Sequence, residues 1–279
     1  MYITNDKNVA LIAQKYGVDR VWIDLEIVGK EKRQPGNTVK SQHSMSDIEE
    51  IKPLLTTSEL LVRVNPWSST SYEEIESVME AGADIVMLPM WKTVNEVKSF
   101  IKAVDNRCKT VLLLETKEAV DCIDEVLSIG GFDEVHIGLN DLHISYGLNF
   151  MFEPLANGLV EGLINKIKKA NIPFGFGGIA KLGEGLLPAE KIIMEHYRLG
   201  STRTILSRSF CDTSKIDSIE EINRVFSSNI NKLRIYEKSI SNMSEESFEQ
   251  NRIEVIKSVD NIVESIKSNK KEELQCQAS

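Results

Sequence analysis

The sequence TVLLLETKEAVDCIDEVLSIGGFDEVHIGLND, residues 110–141, contains two strand-like apolar runs that each stop at a carboxylate. Val111-Leu112-Leu113-Leu114 gives way to Glu115, and Val135-His136-Ile137-Gly138 gives way to Leu139-Asn140-Asp141. A segment with helical spacing lies between them. Uninterrupted apolar runs fit strands buried on both faces, which a parallel sheet requires. If the two strands are parallel neighbours, Glu115 and Asp141 leave the sheet at the same edge and can share one hard metal ion.

Outward from this stretch, the same strand-then-helix unit repeats. Apolar runs predict strands over 1–4, 20–25, 60–64, 85–88, 110–114, 134–137, 173–177 and 202–206. Helical spacing follows each of them. It begins at 6–16 and closes on Gly17, then resumes after Ser46-Asp47-Ile48-Glu49, Ser71-Tyr72-Glu73-Glu74 and Thr93-Val94-Asn95-Glu96, three capping-box patterns. Further helices are expected over 117–128, 154–170 and 188–199. Eight such units point to an α/β fold, a closed (β/α)8 TIM barrel, with an open doubly wound sheet as the rival. The barrel is expected over 1–212. Two long polar helical patterns follow, over 218–239 and 244–268, with 267–279 reading as frayed. This C-terminal helical extension, 213–279, either packs on its own barrel or docks on a neighbouring subunit.

A chain of 279 residues with net charge −9 lacks the basic balance of a general nucleic-acid binder. No window holds the ~20 apolar residues of a membrane helix, and no N-terminal signal pattern is present. Cys108, Cys122, Cys211 and Cys276 form no C-x-x-C pair, so a zinc site or disulfide framework is not expected. A reducing cytoplasmic setting follows as the expectation.

Barrel active sites sit at the C-terminal ends of the strands. The polar residues there are Asp24 and Glu26, Arg63 and Asn65, Glu115, then Asn140 and Asp141. Glu115 reads either as a metal ligand or as an acid stabilised by the following helix N-terminus. Asp141 reads either as a second ligand or as an N-cap. Two carboxylates suit Mg²⁺ or Mn²⁺, which favour oxygen donors and leave positions for substrate. A 2-oxo acid can chelate such an ion, and the ion lowers the cost of an enolate formed on carbon–carbon cleavage. Arg63 is either a fixed cation facing that enolate oxygen or a rim salt bridge to Asp24 or Glu26.

Four motifs then occur in register: Asp24-Leu25-Glu26, Leu61-Val62-Arg63-Val64-Asn65-Pro66, Leu-Leu-Leu-Glu115-Thr, and Ile137-Gly138-Leu139-Asn140-Asp141-Leu142. With Ala81-Gly82-Ala83-Asp84, they make the chain resemble the HpcH/HpaI aldolase and citrate lyase β-subunit family over about residues 1–210. The resemblance implies the barrel of the phosphoenolpyruvate/pyruvate superfamily, a divalent metal, and reversible aldol or Claisen-type cleavage. It makes Glu115 and Asp141 metal ligands, and Arg63 the contact to the substrate carbonyl or enolate oxygen. It gives backbone amides around Asn140 and Asp141 to the substrate carboxylate, and places Glu26 next to the metal through a bound water. It also implies a homo-oligomer that exchanges C-terminal helices.

The departures lie after the second strand. Pyruvate aldolases of the family carry an acid–base His directly after the Glu, and the citrate lyase branch carries Asp; this chain has Ile27. His43, on the long loop that follows, is either a candidate for the missing catalytic group or a surface-loop histidine. Lys30, Lys32 and Arg33 in the same loop suit either a CoA phosphate or plain solvent. Trp67 and Trp91 suit a pocket mouth or packing under loops, and His136 suits the core. Three functions are carried forward. They are a metal-dependent carbon–carbon lyase or aldolase forming a pyruvate-type enolate, a citrate-lyase-like CoA-thioester lyase, and a non-catalytic barrel that binds metal and an oxo acid.

Overall fold

The computed structural model describes residues 1–29 and 42–277. Lys30, Lys32 and Arg33 lie outside the described residues. Eight parallel strands close into a barrel in chain order. They are β1 (Tyr2–Ile3), β2 (Arg20–Asp24), β3 (Glu59–Arg63), β4 (Ile85–Leu88), β5 (Lys109–Leu114), β6 (Glu134–Ile137), β7 (Phe174–Ile179) and β8 (Arg203–Leu206). The register pairs Trp22 with Leu61, Leu61 with Ile85, and Leu113 with His136, so these side chains share the interior. Trp22, Leu61, Ile85, Met87, Val111 and Leu113 fill the barrel, and the much larger second core lies between sheet and helices. β2, β4 and β6 therefore bury both faces along their whole length, which is why the runs read as continuously apolar, while β8 is mostly half-buried.

Glycines at β7 let the wall close. A Cβ on Gly175 would collide with the Arg203 carbonyl oxygen, and one on Gly177 would stand 2.8 Å from Leu139. The glycine-heavy seventh strand is thus a packing device.

The helices on the outside are α1 (Lys7–Lys15), α2 (Met45–Ile51), α3 (Ser71–Glu80), α4 (Val94–Val104), α5 (Lys117–Asp121), α6 (Ile123–Ile129), α7 (Leu139–Ser145), α8 (Glu153–Ala156), α9 (Leu159–Lys169), α10 (Ala189–Leu199), α11 (Ile219–Ile240) and α12 (Glu245–Gln277). Only the third expected capping box forms where it was read, with Thr93 accepting from Glu96 N–H. For α2 the cap is Ser44 with Asp47, two residues earlier than the Ser46 pattern. For α3, Ser71 is the first helical residue, and Glu74 turns to Asn65 instead of the helix start.

Two expected helices are broken. The helix over 117–128 divides at Cys122. The one over 154–170 divides at Gly158, whose φ of +86° is left-handed and ends the first piece. Asn157 Oδ1 then accepts Leu159 N–H and starts the second. Where the sequence reads as frayed, α12 runs on to Gln277, and residues 278–279 lie outside the described residues. Both C-terminal helices lie on the barrel of their own chain, α11 against α1 and α12 against α10 and α8. Asn251 Nδ2 ties α12 down by donating to Glu195 Oε1 at 2.9 Å and to Lys191 O at 3.1 Å. No helix among the described residues is long and apolar enough to cross a membrane.

Candidate active site

The carboxylates singled out in the sequence are buried at the C-terminal rim: Asp24, Glu26, Glu115 and Asp141 are each no more than 9% exposed. Arg63 is placed among them by β3. Its Nε donates to Asp24 Oδ1 at 2.9 Å and its Nη2 to Asp24 Oδ2 at 2.8 Å, while Nη1 lies 3.2 Å from Glu26 Oε2. Beneath the guanidinium lies the ring of Trp22, 5.1 Å away, a cation–π floor supplied by the barrel interior. Burial opposes the Arg63 charge, and Asp24 and Glu26 more than restore it, so its pKa is raised. The rim salt bridge foreseen for Arg63 exists. A guanidinium has five N–H donors, so holding two carboxylates leaves it able to bind a substrate oxygen as well.

Glu115 is the electrostatic outlier. Burial pushes its carboxyl well above the ordinary glutamate range, and the charges of Asp141 and Glu26 push in the same direction against Arg63. Its Oε1 accepts the Met90 backbone N–H at 3.1 Å. Met90 has φ +51°, a left-handed conformation unusual for a non-glycine residue, directly after Pro89 ends the fourth strand. On the other side, a Cβ on Gly138 would stand 2.7 Å from Glu115 Oε2 and 3.0 Å from Glu115 Cβ. Gly138 therefore leaves the space that Glu115 occupies. Asp141 sits in the first turn of α7, whose N-cap, Gly138, supplies no side-chain acceptor. Asn140 is exposed beside it.

Other rim residues resolve into supports. Asn65 Oδ1 accepts from Ile27 and Val28 N–H at 3.0 and 3.1 Å, and Asn65 is itself held by Glu74 at 2.7 Å. This staple fixes the turn where Ile27 is 72% exposed. His43 is half-buried, and its Nδ1 accepts Asp24 N–H at 2.9 Å. Trp91 is fully buried under the rim, with its carbonyl accepting Thr116 Oγ1, so it does not line the mouth. Trp67 packs edge-on against Tyr72. His136 is interior, with Nε2 3.1 Å from Gly177 O, and burial lowers its pKa to about 4. A cavity of about 770 Å³ opens elsewhere, lined by Arg20, His196, Thr204, Leu233 and Arg234, with none of the rim carboxylates in its wall.

Sequence reading found the acids but missed Met90, Gly138 and Trp22 as the parts that aim and seat them. A single Gly at the end of an apolar run was the available signal for Gly138. A backbone donor such as Met90 N–H has no side-chain signature at all.

The family model for HpcH/HpaI aldolase/citrate lyase matches residues 2–151, more than half of the chain. A hydroxypyruvate/pyruvate aldolase from Rhizorhabdus wittichii is 27% identical over 190 residues, covering 53% of this chain and 74% of that protein. A 2-keto-3-deoxy-L-rhamnonate aldolase of Escherichia coli is 28% identical over 100 residues, 36% of each protein. Among solved structures, an HpcH/HpaI aldolase from Desulfitobacterium hafniense superposes with TM-score 0.59 at 13% identity, covering 84% of this chain and 91% of that one. The citrate lyase β subunit of M. tuberculosis, solved with oxaloacetate and magnesium, gives 0.54 at 14% identity over 81% and 95%. The chain belongs to the HpcH/HpaI aldolase/citrate lyase family, and so is a carbon–carbon lyase.

Proposed function

We propose that this protein is a divalent-metal-dependent aldolase that cleaves or forms a carbon–carbon bond next to a small 2-oxo acid, with a pyruvate-type enolate as the shared intermediate. The observation that carries this reading is the setting of Glu115: among the described residues it is buried at one rim with Asp24, Glu26, Asp141 and Arg63, and burial with the charge of Asp141 drives it toward its protonated form. A divalent cation at Glu115 and Asp141 would favour the charged form of Glu115. The donor set fits, since both are hard oxygen ligands, and Mg²⁺ commonly takes only one or two protein carboxylates plus substrate. Among the described residues no cluster of three acidic, histidine or cysteine ligands stands together, so substrate and water would complete the shell. Oxaloacetate with magnesium in the M. tuberculosis citrate lyase β subunit supports the same ligand chemistry.

When bound, the ion supplies Lewis-acid polarisation of the 2-oxo group. Arg63, clamped by Asp24 and Glu26, holds a fixed positive charge for the oxygen on which negative charge develops. The first-turn amides of α7, around Asn140 and Asp141, orient the substrate carboxylate. Glu26 contacts Arg63 and completes the acidic wall. In cleavage, the hydroxyl proton leaves to a base as the carbon–carbon bond breaks. Its electron pair passes to the enolate, which is then protonated at carbon to give pyruvate.

The test is pyruvate release from a 4-hydroxy-2-oxo acid, and oxaloacetate decarboxylation, by the full chain with and without Mg²⁺ or Mn²⁺. Metal-stimulated turnover that disappears in Arg63→Met supports the reading. Tight oxalate binding with no turnover on any such substrate would instead mark a binding protein. Turnover of a CoA thioester alone would move it to the citrate lyase branch.

A further inference from the structure

We infer that His43 is a positioning residue, which holds Asp24 and through it Arg63, and is not the proton-moving base of the site. The inference rests on the reading of Arg63 as the cation that receives the enolate oxygen. It begins with a defect in the barrel wall. β1 is only two residues long, and among the described residues the last main-chain contact from its side to β2 is Thr4 N–H to Trp22 O at 3.2 Å. Asp24 lies two residues further along β2. In a parallel ladder the N–H groups of adjacent residues point to opposite neighbours. Leu25 N–H goes to Arg63 O on β3, so Asp24 N–H points to the side where β1 has already ended.

A strand amide buried without a partner costs about 1–3 kcal/mol. The His43 ring supplies the partner that β1 cannot, with Nδ1 accepting Asp24 N–H at 2.9 Å. The same Asp24 is 2% exposed, and its carboxylate grips Arg63 through two hydrogen bonds. Imidazole, Asp24 main chain, Asp24 carboxylate and guanidinium thus form one chain of contacts.

The tautomer follows from the donor. A nitrogen that accepts an amide hydrogen carries none of its own, so the hydrogen of the neutral ring is on Nε2. In this state Nδ1 is occupied and Nε2 is a donor, so neither nitrogen can take a proton from substrate without giving up Asp24.

The test compares His43→Ala with His43→Asn, whose Oδ1 occupies the place of Nδ1 and can accept the same amide but cannot act as an imidazole base. His43→Ala is expected to lower kcat about 10-fold or more, the effect of loosening one buried polar contact at the site. His43→Asn should recover most of that loss, and both variants should keep the wild-type pH profile and Mn²⁺ affinity. His43→Asn as inactive as His43→Ala, with one limb of the pH profile gone, would overturn the inference. Long-range ¹⁵N NMR on the wild-type chain reads the tautomer without turnover. Hydrogen on Nε2 supports the inference, and hydrogen on Nδ1 overturns it. If Arg63→Met keeps full turnover while His43 still shows the Nε2–H form, the reading of the site fails and the contact to Asp24 stands.

Discussion

The two ends of the barrel are built from the same residue types and behave in opposite ways. At the N-terminal end, Glu134 is gripped by Arg20 through two hydrogen bonds of 2.6 Å and by Arg203 at 2.7 Å, with Glu59 bridging Arg20 and Lys109. Burial alone would raise the Glu134 pKa, but its arginines win and hold it below the ordinary range. At the C-terminal end Glu115 faces Asp141 and Glu26 with Arg63 already committed to Asp24, and its pKa goes up. The first cluster neutralises itself and reads as a clamp that ties β2, β6 and β8. The second, among the described residues, sets Glu115 beside other carboxylates, and the proposed function gives that place to a cation.

That contrast can be broken most forcefully by removing one acid from each end. On the proposed reading Glu115→Gln removes a metal ligand and should lower turnover by about 10³-fold or more, while the fold is retained. Glu134→Ala should do the reverse. It strands buried arginines and should cost about 3–5 kcal/mol in chemical denaturation, with kcat per folded molecule preserved. Equal losses of stability in both variants would erase the distinction.

Acid sensitivity sharpens it further. The ring of His196 stacks on Phe176 with centroids 3.8 Å apart, and burial lowers its pKa to about 3. A histidine whose folded pKa lies below its unfolded value binds fewer protons when folded. Stability is then fully present above the unfolded value near 6.5 and is lost as pH falls through and below it. At pH 4 this group alone should account for about 3 kcal/mol. His196→Leu should flatten the acid limb of a stability–pH curve between pH 6.5 and 4, and an unchanged limb would show that the ring already protonates in the fold.

Smaller changes probe the C-terminal end itself. Gly138→Ala inserts a methyl group 2.7 Å from Glu115 Oε2, so Glu115 must move. Mn²⁺ affinity should fall about 10- to 100-fold with little effect on unfolding, measured by calorimetry and denaturation. The smallest effect is expected for Met90→Gly. Glycine accepts the left-handed φ but loses more entropy on folding, so stability should stay within about 1 kcal/mol. Metal affinity should be unchanged, because the backbone N–H that reaches Glu115 remains.

How much of this was legible in the sequence depended on which chemistry carried the signal. The barrel was readable because Val111–Leu114-type runs must be apolar on both faces, and helix starts such as Thr93–Glu96 write their caps in side chains. Gly158 cut an expected helix because a left-handed residue overrides the apolar spacing on either side of it. Ser44 displaced Ser46 as a cap because the chain enters α2 from the rim contact of His43, one residue before. The rim positions of Glu115 and Asp141 were legible because each follows an apolar run that ends abruptly, Glu115 directly and Asp141 through the start of α7. Met90 N–H, the tautomer of His43 and the short reach of β1 were not visible, because main-chain geometry decides them.

The metal reading of the C-terminal rim is tested most directly by titrating Mn²⁺ into the metal-free chain. One Mn²⁺ per chain is expected for the wild type and for Glu134→Gln, with proton release below the raised pKa of Glu115, and none for Glu115→Gln or Asp141→Asn. Unchanged Mn²⁺ binding in Glu115→Gln and Asp141→Asn would contradict the metal site.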